Sequence, residues 1–217
     1  MRRRVTFADR AEAGRLLAER LAAARLQDPL VLALPRGGVP VGAEIARALG
    51  APLDVAFVRK IGAPEQPELA IGAVADGTEP EIVLNVKLVH ALGLSEDYIA
   101  SEAARELAVI EQRRRDYASL RPTAEPQGRA VIVVDDGVAT GMTMQAALRH
   151  LKRRAPSRLI AAAPVASREA VAMLKREADA VVCLASPRRF GSVGSFYRNF
   201  EQVSDEEVAA LLREAAA

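Results

Sequence analysis

The chain has 217 residues, half of them hydrophobic, with one cysteine, no tryptophan and a formal net charge of +2. That length suits one domain with a real core. The small net charge argues against a dedicated nucleic-acid binder, and no apolar stretch is long enough to span a bilayer. A single thiol, Cys183, excludes an internal disulfide, and the N-terminus lacks the apolar centre of a secretory signal, so a cytoplasmic protein is expected.

In chain order, Asp9 can cap a first helix running to about Gln27, with Leu16, Leu17, Leu21 and Leu26 turned inward. Pro29 precedes a short apolar strand, Leu30 to Leu34. The loop Pro35-Arg36-Gly37-Gly38 follows, then a helix from about Pro40 to Leu49 stopped by Gly50. Asp54 to Arg59 reads as a second buried strand. Ile61 to Glu68 holds two prolines and a glycine and reads as a loop. Ala70–Ala75 and Glu81–Asn85, around Asp76-Gly77, read as a hairpin. Ser95 opens a long helix to about Ser119, with Glu96 and Asp97 favouring its dipole. The β-branched run Val131-Ile132-Val133-Val134 is a buried strand, followed by a helix from Met142 to Arg153. Strand Leu159–Ala163, helix Ser167–Ala178 and strand Ala180–Leu184 come next, the last with Cys183 in its core. Ser204-Asp205-Glu206-Glu207 is a capping box for a final helix. The arginine runs Arg2–Arg4 and Arg113–Arg115 read as solvated faces.

Buried strands alternating with helices predict an α/β fold, a largely parallel central sheet with helices on both faces. Residues 1–217 form one domain in this reading, with an insertion at about 60–85 and an irregular segment at about 185–200. Ligands in such folds bind beyond the carboxyl ends of the strands. Three polar segments obey that rule: Pro35–Gly38, Arg59–Glu68 and Asp135–Thr143.

The third segment carries the most information. Asp135 and Asp136 stand at the end of a buried strand, and Gly137-Val138-Ala139-Thr140-Gly141 turns into a helix beginning at Met142 and Thr143. A strand, a glycine-bounded turn and a helix N-terminus present backbone N–H groups to an anion. The adjacent carboxylates can hold a vicinal diol, and a diol beside a phosphate describes a ribose 5-phosphate. Turn chemistry alone explains the two glycines but not two carboxylates with two threonines.

This stretch resembles the 5-phosphoribosyl-1-pyrophosphate (PRPP) signature of the type I phosphoribosyltransferases. The resemblance is tight from Val131 to Thr143 and looser over the core from Leu30 to Leu184. It implies a fold of the kind already read and a small insertion that closes over the site. It implies that Asp135 and Asp136 hold the ribose hydroxyls and offset positive charge at C1. Gly137, Val138, Ala139, Thr140, Gly141, Met142 and Thr143 would receive the 5-phosphate, while Arg36, Gly37 and Gly38 contact pyrophosphate, often through an unusual peptide geometry.

Arg59-Lys60 looks like the Arg-Lys pair that steadies the leaving group in the orotate and adenine enzymes, with Lys60 the catalytic member. From the residues alone the pair also reads, less strongly, as a solvated strand end. The loop Ile61–Leu69 matches the family's flexible loop. Glu65 and Glu68 are its only carboxylates, and either, Glu68 foremost, could handle a proton on an incoming base, although a loop glutamate is usually just solvated. Ala139 stands where the 6-oxopurine enzymes place an aspartate, which disfavours hypoxanthine or guanine as acceptor. Ser186–Phe200 takes the place of a hood over the acceptor, with Phe190, Phe196 and Tyr197 as stacking candidates; the competing reading has these rings pin the segment to the core.

The expected cofactor is Mg²⁺, carried by PRPP oxygens, with Asp135 or Asp136 as the protein ligand if one is used. The partners expected are PRPP and an unidentified acceptor, in a homodimer, with neither membrane nor nucleic acid. Two alternatives stand beside the transferase: a PRPP-binding regulatory protein without transferase activity, and a hydrolytic enzyme that consumes PRPP without an acceptor base.

Overall fold

The computed structural model describes residues 6–76, 80–118 and 124–216. In chain order its elements are α1 (Arg10–Ala22), β1 (Pro29–Ala33), α2 (Gly38–Leu49), β2 (Leu53–Val55), β3 (Val58–Ala63), β4 (Gln66–Ala75) and β5 (Glu81–Leu84). Then come α3 (Val86–Ala91), α4 (Glu96–Ala118), β6 (Ala130–Val134), α5 (Met142–Lys152), β7 (Arg158–Val165), α6 (Arg168–Leu174), β8 (Ala180–Ala185), a 3₁₀ turn at Val193–Phe196, and α7 (Asp205–Ala216). The Arg2–Arg4 run, Gly77 of the predicted hairpin turn and Ser119 at the predicted end of the long helix lie outside the described residues.

The central sheet is five-stranded and parallel, in the order β2-β1-β6-β7-β8. Its strands show no polar alternation because both faces are buried. Leu30, Leu32, Val131 and Val133 enter one core cluster, whereas Val31, Ala33, Ile132 and Val134 enter the other. The first cluster is covered by α5, α6 and the small sheet. The second is covered by α1, α2 and α7. This is the predicted architecture, helices on both faces of a parallel sheet. Strand β8 is one of the two edges, so Cys183 is only half-buried where it packs against the first cluster.

The caps fell where side-chain chemistry put them. Asp9 accepts from the Glu12 N–H at 2.8 Å, Ser95 from Tyr98 at 3.2 Å and Ser204 from Glu207 at 3.1 Å. Gly50 closes α2 in the left-handed region at φ 59°. Helix α1 stops at Ala22, short of the predicted Gln27, because Arg25 and Asp28 both take positive φ in the turn towards β1.

The segment from Asp54 to Glu68 differs from its prediction. The single strand expected over 54–59 is two strands in two sheets. The Ala56 N–H closes the parallel pairing on the Ala33 carbonyl at 2.9 Å, and the Asp76 N–H opens the antiparallel pairing on Phe57 at 3.2 Å. The loop expected over 61–68 consists of the arms of a hairpin, β3 with β4, turning at Pro64-Glu65. Pro67 fits inside β4 because the ladder is bulged there. The register shifts on both sides of Gly62, where a Cβ would lie 2.8 Å from the Pro67 carbonyl oxygen. One face of this small sheet packs on α5. The other holds Ile61, Ile71 and Val74 against Ala103 and Ile110 of α4.

Candidate functional site

The chain leaves β1 towards one edge of the sheet to make β2, then returns on the other side of β1 with β6, β7 and β8. The order therefore reverses between β1 and β6, which pair over five residues from Pro29↔Ala130 to Ala33↔Val134. In open α/β sheets ligands bind at such a reversal, beyond the strand carboxyl ends. Two of the three predicted segments, Pro35–Gly38 and Asp135–Thr143, emerge there side by side.

They approach closely enough that only glycine fits. A Cβ on Gly37 would lie 2.0 Å from Oδ2 of Asp136. One on Gly38 would lie 2.6 Å from the Val134 carbonyl oxygen and 3.0 Å from Cα of Asp135. The Leu34 N–H donates to the Val134 carbonyl at 2.8 Å, which extends the strand pairing into the loop. The Pro35–Arg36 peptide bond is cis. The Gly38 and Val39 N–H groups donate to the Leu34 and Arg36 carbonyls at 3.0 and 3.1 Å. Those two amides are therefore not presented to a ligand. The Arg36 guanidinium sits 3.6 Å from Asp205 at the start of α7.

Both aspartates are sheltered. Burial raises the carboxyl of Asp135 well above its ordinary value, with the neighbouring Asp136 carboxylate adding to the shift; the Asp136 backbone N–H, donating to Asp135 Oδ1 at 2.8 Å, and Arg10 oppose it. Asp136 is raised by burial and drawn back by Arg10, whose Nε donates to Oδ2 at 2.8 Å. Two adjacent, half-buried carboxylates attract protons, hydroxyl donors and positive charge.

The turn after them is mixed. Val138 is buried, and its N–H donates to the Val165 carbonyl at 2.8 Å, so it is not among the free donors expected of 137–143. Gly137 is packed under Val193, whose Cγ1 would stand 2.4 Å from a Cβ. Ala139 and Thr140 are exposed and Thr143 is half-buried. Gly141, at φ 81°, is the N-cap of α5 and supplies no side-chain bond. The first-turn amides of α5 therefore lack both an intrahelical partner and a side-chain cap, which is how an anion site at a helix start is left open.

The remaining candidates separate. Arg59 is drawn away to α4, where its Nε donates to Glu106 Oε2 at 2.6 Å. This ion pair holds Arg59 against α4 and occupies the guanidinium expected to face the leaving group. Arg59→Ala and Glu106→Ala should each cost about 1–3 kcal/mol of stability, and the double variant little more than either. Additive losses in denaturant unfolding would contradict the pairing. Lys60 lies on the opposite face of β3. It pairs in register with Ala73 and shares its side with Val58, towards the α5 cluster. Glu65 occupies the hairpin turn at φ 59°, and Glu68 lies on β4.

Phe196 and Tyr197 do not offer faces to an acceptor. They are buried with Phe7 and Val165, and the Tyr197 hydroxyl donates to the Asp136 carbonyl at 2.5 Å. The pinning reading of these rings therefore holds, and the stacking expectation is corrected. Phe190 is half-buried against Phe196, and Phe200 is the more exposed ring, with the Arg10 guanidinium 3.9 Å from its centroid. Arg10 is a functional neighbour that the sequence did not point out. Its only signal there was a cation in the first turn of a helix, where the dipole disfavours one.

A cavity of about 260 Å³ lies elsewhere, at the other end of α5, lined by Phe57, Asp76, Arg114, Tyr117, His150 and Arg154 among others. Helix α5 begins at the signature turn, and its 11 residues put that cavity about 16 Å away. Among the described residues no cluster of three or more His, Cys, Asp or Glu side chains is placed to hold a metal ion. No described helix is long and apolar enough to cross a membrane.

A family model, the phosphoribosyl transferase domain, matches residues 8–197. The chain is 43% identical over 209 residues to a "Putative phosphoribosyl transferase" of Mycobacterium tuberculosis H37Rv and to its counterpart in strain CDC 1551. The alignment takes in 96% of this chain and 47% of each relative, so the chain spans about half the length of the curated relatives it matches. The crystal structure of the TT1426 protein from Thermus thermophilus is 48% identical, with a TM-score of 0.82 over 98% of this chain and 100% of that one. A structure of the AQ2163 protein from Aquifex aeolicus is 13% identical, with a TM-score of 0.52 over 85% of this chain and 78% of that one, a likeness of fold alone.

Proposed function

The chain belongs to the phosphoribosyl transferase domain family, and from that premise we propose that it transfers the 5-phosphoribosyl group of PRPP to an acceptor, a nucleobase or similar nitrogen heterocycle, releasing pyrophosphate. The observation that carries this reading is the junction at the sheet reversal. There, two half-buried carboxylates meet a Gly37–Gly38 backbone with no room for a Cβ, beside the uncapped start of α5.

In this reading the carboxylates of Asp135 and Asp136 accept hydrogen bonds from the ribose 2- and 3-hydroxyls. As the bond from C1 to pyrophosphate breaks, positive charge grows on the sugar, and preorganised negative charge in a sheltered site lowers that barrier. The first-turn amides of α5 and the Thr140 and Thr143 hydroxyls hold the 5-phosphate. Lys60 and Arg36 would meet pyrophosphate, Arg36 by leaving Asp205. Mg²⁺ fits the donor set, since Asp135 and Asp136 are hard oxygen ligands and PRPP would supply further oxygens. Bound there, it neutralises pyrophosphate charge.

Lys60→Ala should lower turnover more than PRPP affinity, the mark of a contact made chiefly in the transition state. Steady-state kinetics with a parallel binding titration checks this, and equal losses in both would make Lys60 a binding residue only. The reading as a whole is tested by a panel of nucleobases with PRPP and Mg²⁺, read as pyrophosphate release with a no-acceptor control. Acceptor-dependent release supports the transferase. Release without acceptor would turn the assignment to a hydrolase. Tight binding with no release would turn it to a PRPP-binding regulator.

A further inference from the structure

Arg10 occupies an electrostatically poor position. It is the first residue of α1, beside the Asp9 cap, where the positive end of the helix dipole disfavours a cation. Its side chain is nonetheless only 13% exposed and satisfied on three sides. Nε donates to Asp136 Oδ2 at 2.8 Å, Nη1 donates to the Glu201 carbonyl at 2.8 Å, and the guanidinium plane lies 3.9 Å from the Phe200 ring centroid. Phe200 in turn stacks on Tyr197 with centroids 5.0 Å apart, and the Tyr197 hydroxyl donates to the Asp136 carbonyl. Asp136 is thus gripped at its side chain and at its backbone by the same short segment, 197–201, and Arg10 is the link at the side chain.

We infer that Arg10 is a positioning residue for Asp136: it fixes the second signature carboxylate for the sugar and couples it to the 197–201 segment. This rests on the transferase reading above. A carboxylate offers about four acceptor directions on two oxygens. Arg10 takes one on Oδ2, so a ribose hydroxyl joins without displacing it. Gly37 contributes by absence, because any Cβ there would fill the place of Oδ2. An arginine suits the task better than a lysine. Its planar fork bonds the carboxylate and the Glu201 carbonyl at once while its face lies on Phe200.

The test is a double-mutant cycle on PRPP binding with Mg²⁺ by titration calorimetry, using Arg10→Gln, Arg10→Lys, Phe200→Leu and the Arg10→Gln/Phe200→Leu pair. Phe200→Leu touches neither Asp136 nor the signature turn, and its ring is part-exposed, so the fold should tolerate it. Arg10→Gln should weaken PRPP binding about tenfold or more, and Arg10→Lys should recover part of that loss. Phe200→Leu should weaken binding with Arg10 present and change nothing further when it is absent. Wild-type affinity in Arg10→Gln, or independent multiplying losses from the two changes, would overturn the inference. Asp136→Asn separates the two ideas. If it abolishes binding while the cycle is additive, the PRPP site stands and Arg10's role falls. A wild-type chain that binds no PRPP would sink both.

Discussion

Replacing Asp135 and Asp136 together by asparagine is expected to abolish the rise in melting temperature that PRPP with Mg²⁺ gives the wild-type chain, and to lower turnover about 10²–10³-fold or more. A ligand that binds only the native state stabilises it. Asparagine keeps the size of the side chain but removes the charge that accepts sugar hydroxyls and offsets charge at C1. An unchanged shift would remove the proposed role of the pair.

The ligand-free protein should respond in the opposite sense. Burial, and then the Asp136 carboxylate, raise Asp135. An acid whose value in the fold is raised contributes stability that is complete below the ordinary carboxylate range and lost as pH rises through the raised value. Once ionised, the group is therefore a burden that the site carries for function. Asp135→Asn alone should flatten the fall in the ligand-free melting temperature as pH rises above the ordinary carboxylate range, and raise that temperature wherever the wild-type carboxyl is ionised. The asparagine carbonyl can still accept the Asp136 N–H. A lower melting temperature with an unaltered pH profile would contradict the electrostatic account.

The second large effect separates two adjacent glycines. Gly37 has φ −60°, which any residue adopts, so only space is at issue. Its added Cβ meets Asp136 Oδ2 at 2.0 Å, the far end of a movable side chain. Gly37→Ala should therefore fold, at a cost of about 1–3 kcal/mol, but with Asp136 pushed off its place and PRPP binding about tenfold weaker or worse. The Cβ of Gly38→Ala meets the Val134 carbonyl and the Asp135 Cα, backbone that cannot step aside. That variant should lose more stability than Gly37→Ala. Melting curves and PRPP titrations on both rank them. The reverse order in stability, or full binding by Gly37→Ala, would mean that the two loops do not meet as described.

Features that sit within one short stretch of chain were legible in the sequence. The β6 strand, the two aspartates and the glycine-bounded start of α5 occupy consecutive residues, and a sheet buried on both faces writes unbroken apolar runs. Features made by distant residues were not legible. The 61–68 segment is strand because Ile61, Ile71 and Val74 share a face with Ala103 and Ile110, some forty residues on, and its prolines suggested only a loop. Arg59 looked like a ligand-facing cation because Glu106, 47 residues away, was not visible as its partner. Phe196 and Tyr197 read equally as acceptor platforms or as core, and Phe7, near the other end of the chain, decided for core. Arg10 is separated from Asp136 by 126 residues, and nothing local announces their contact.

The most direct measurement is a crystal structure of the chain with PRPP and Mg²⁺. The account predicts ribose hydroxyls within hydrogen-bond distance of Asp135 and Asp136, the 5-phosphate over the first turn of α5, and Arg10 still on Asp136 Oδ2. A sugar phosphate lodged instead in the cavity at the far end of α5, with the aspartates and the Gly141 turn untouched, would contradict it.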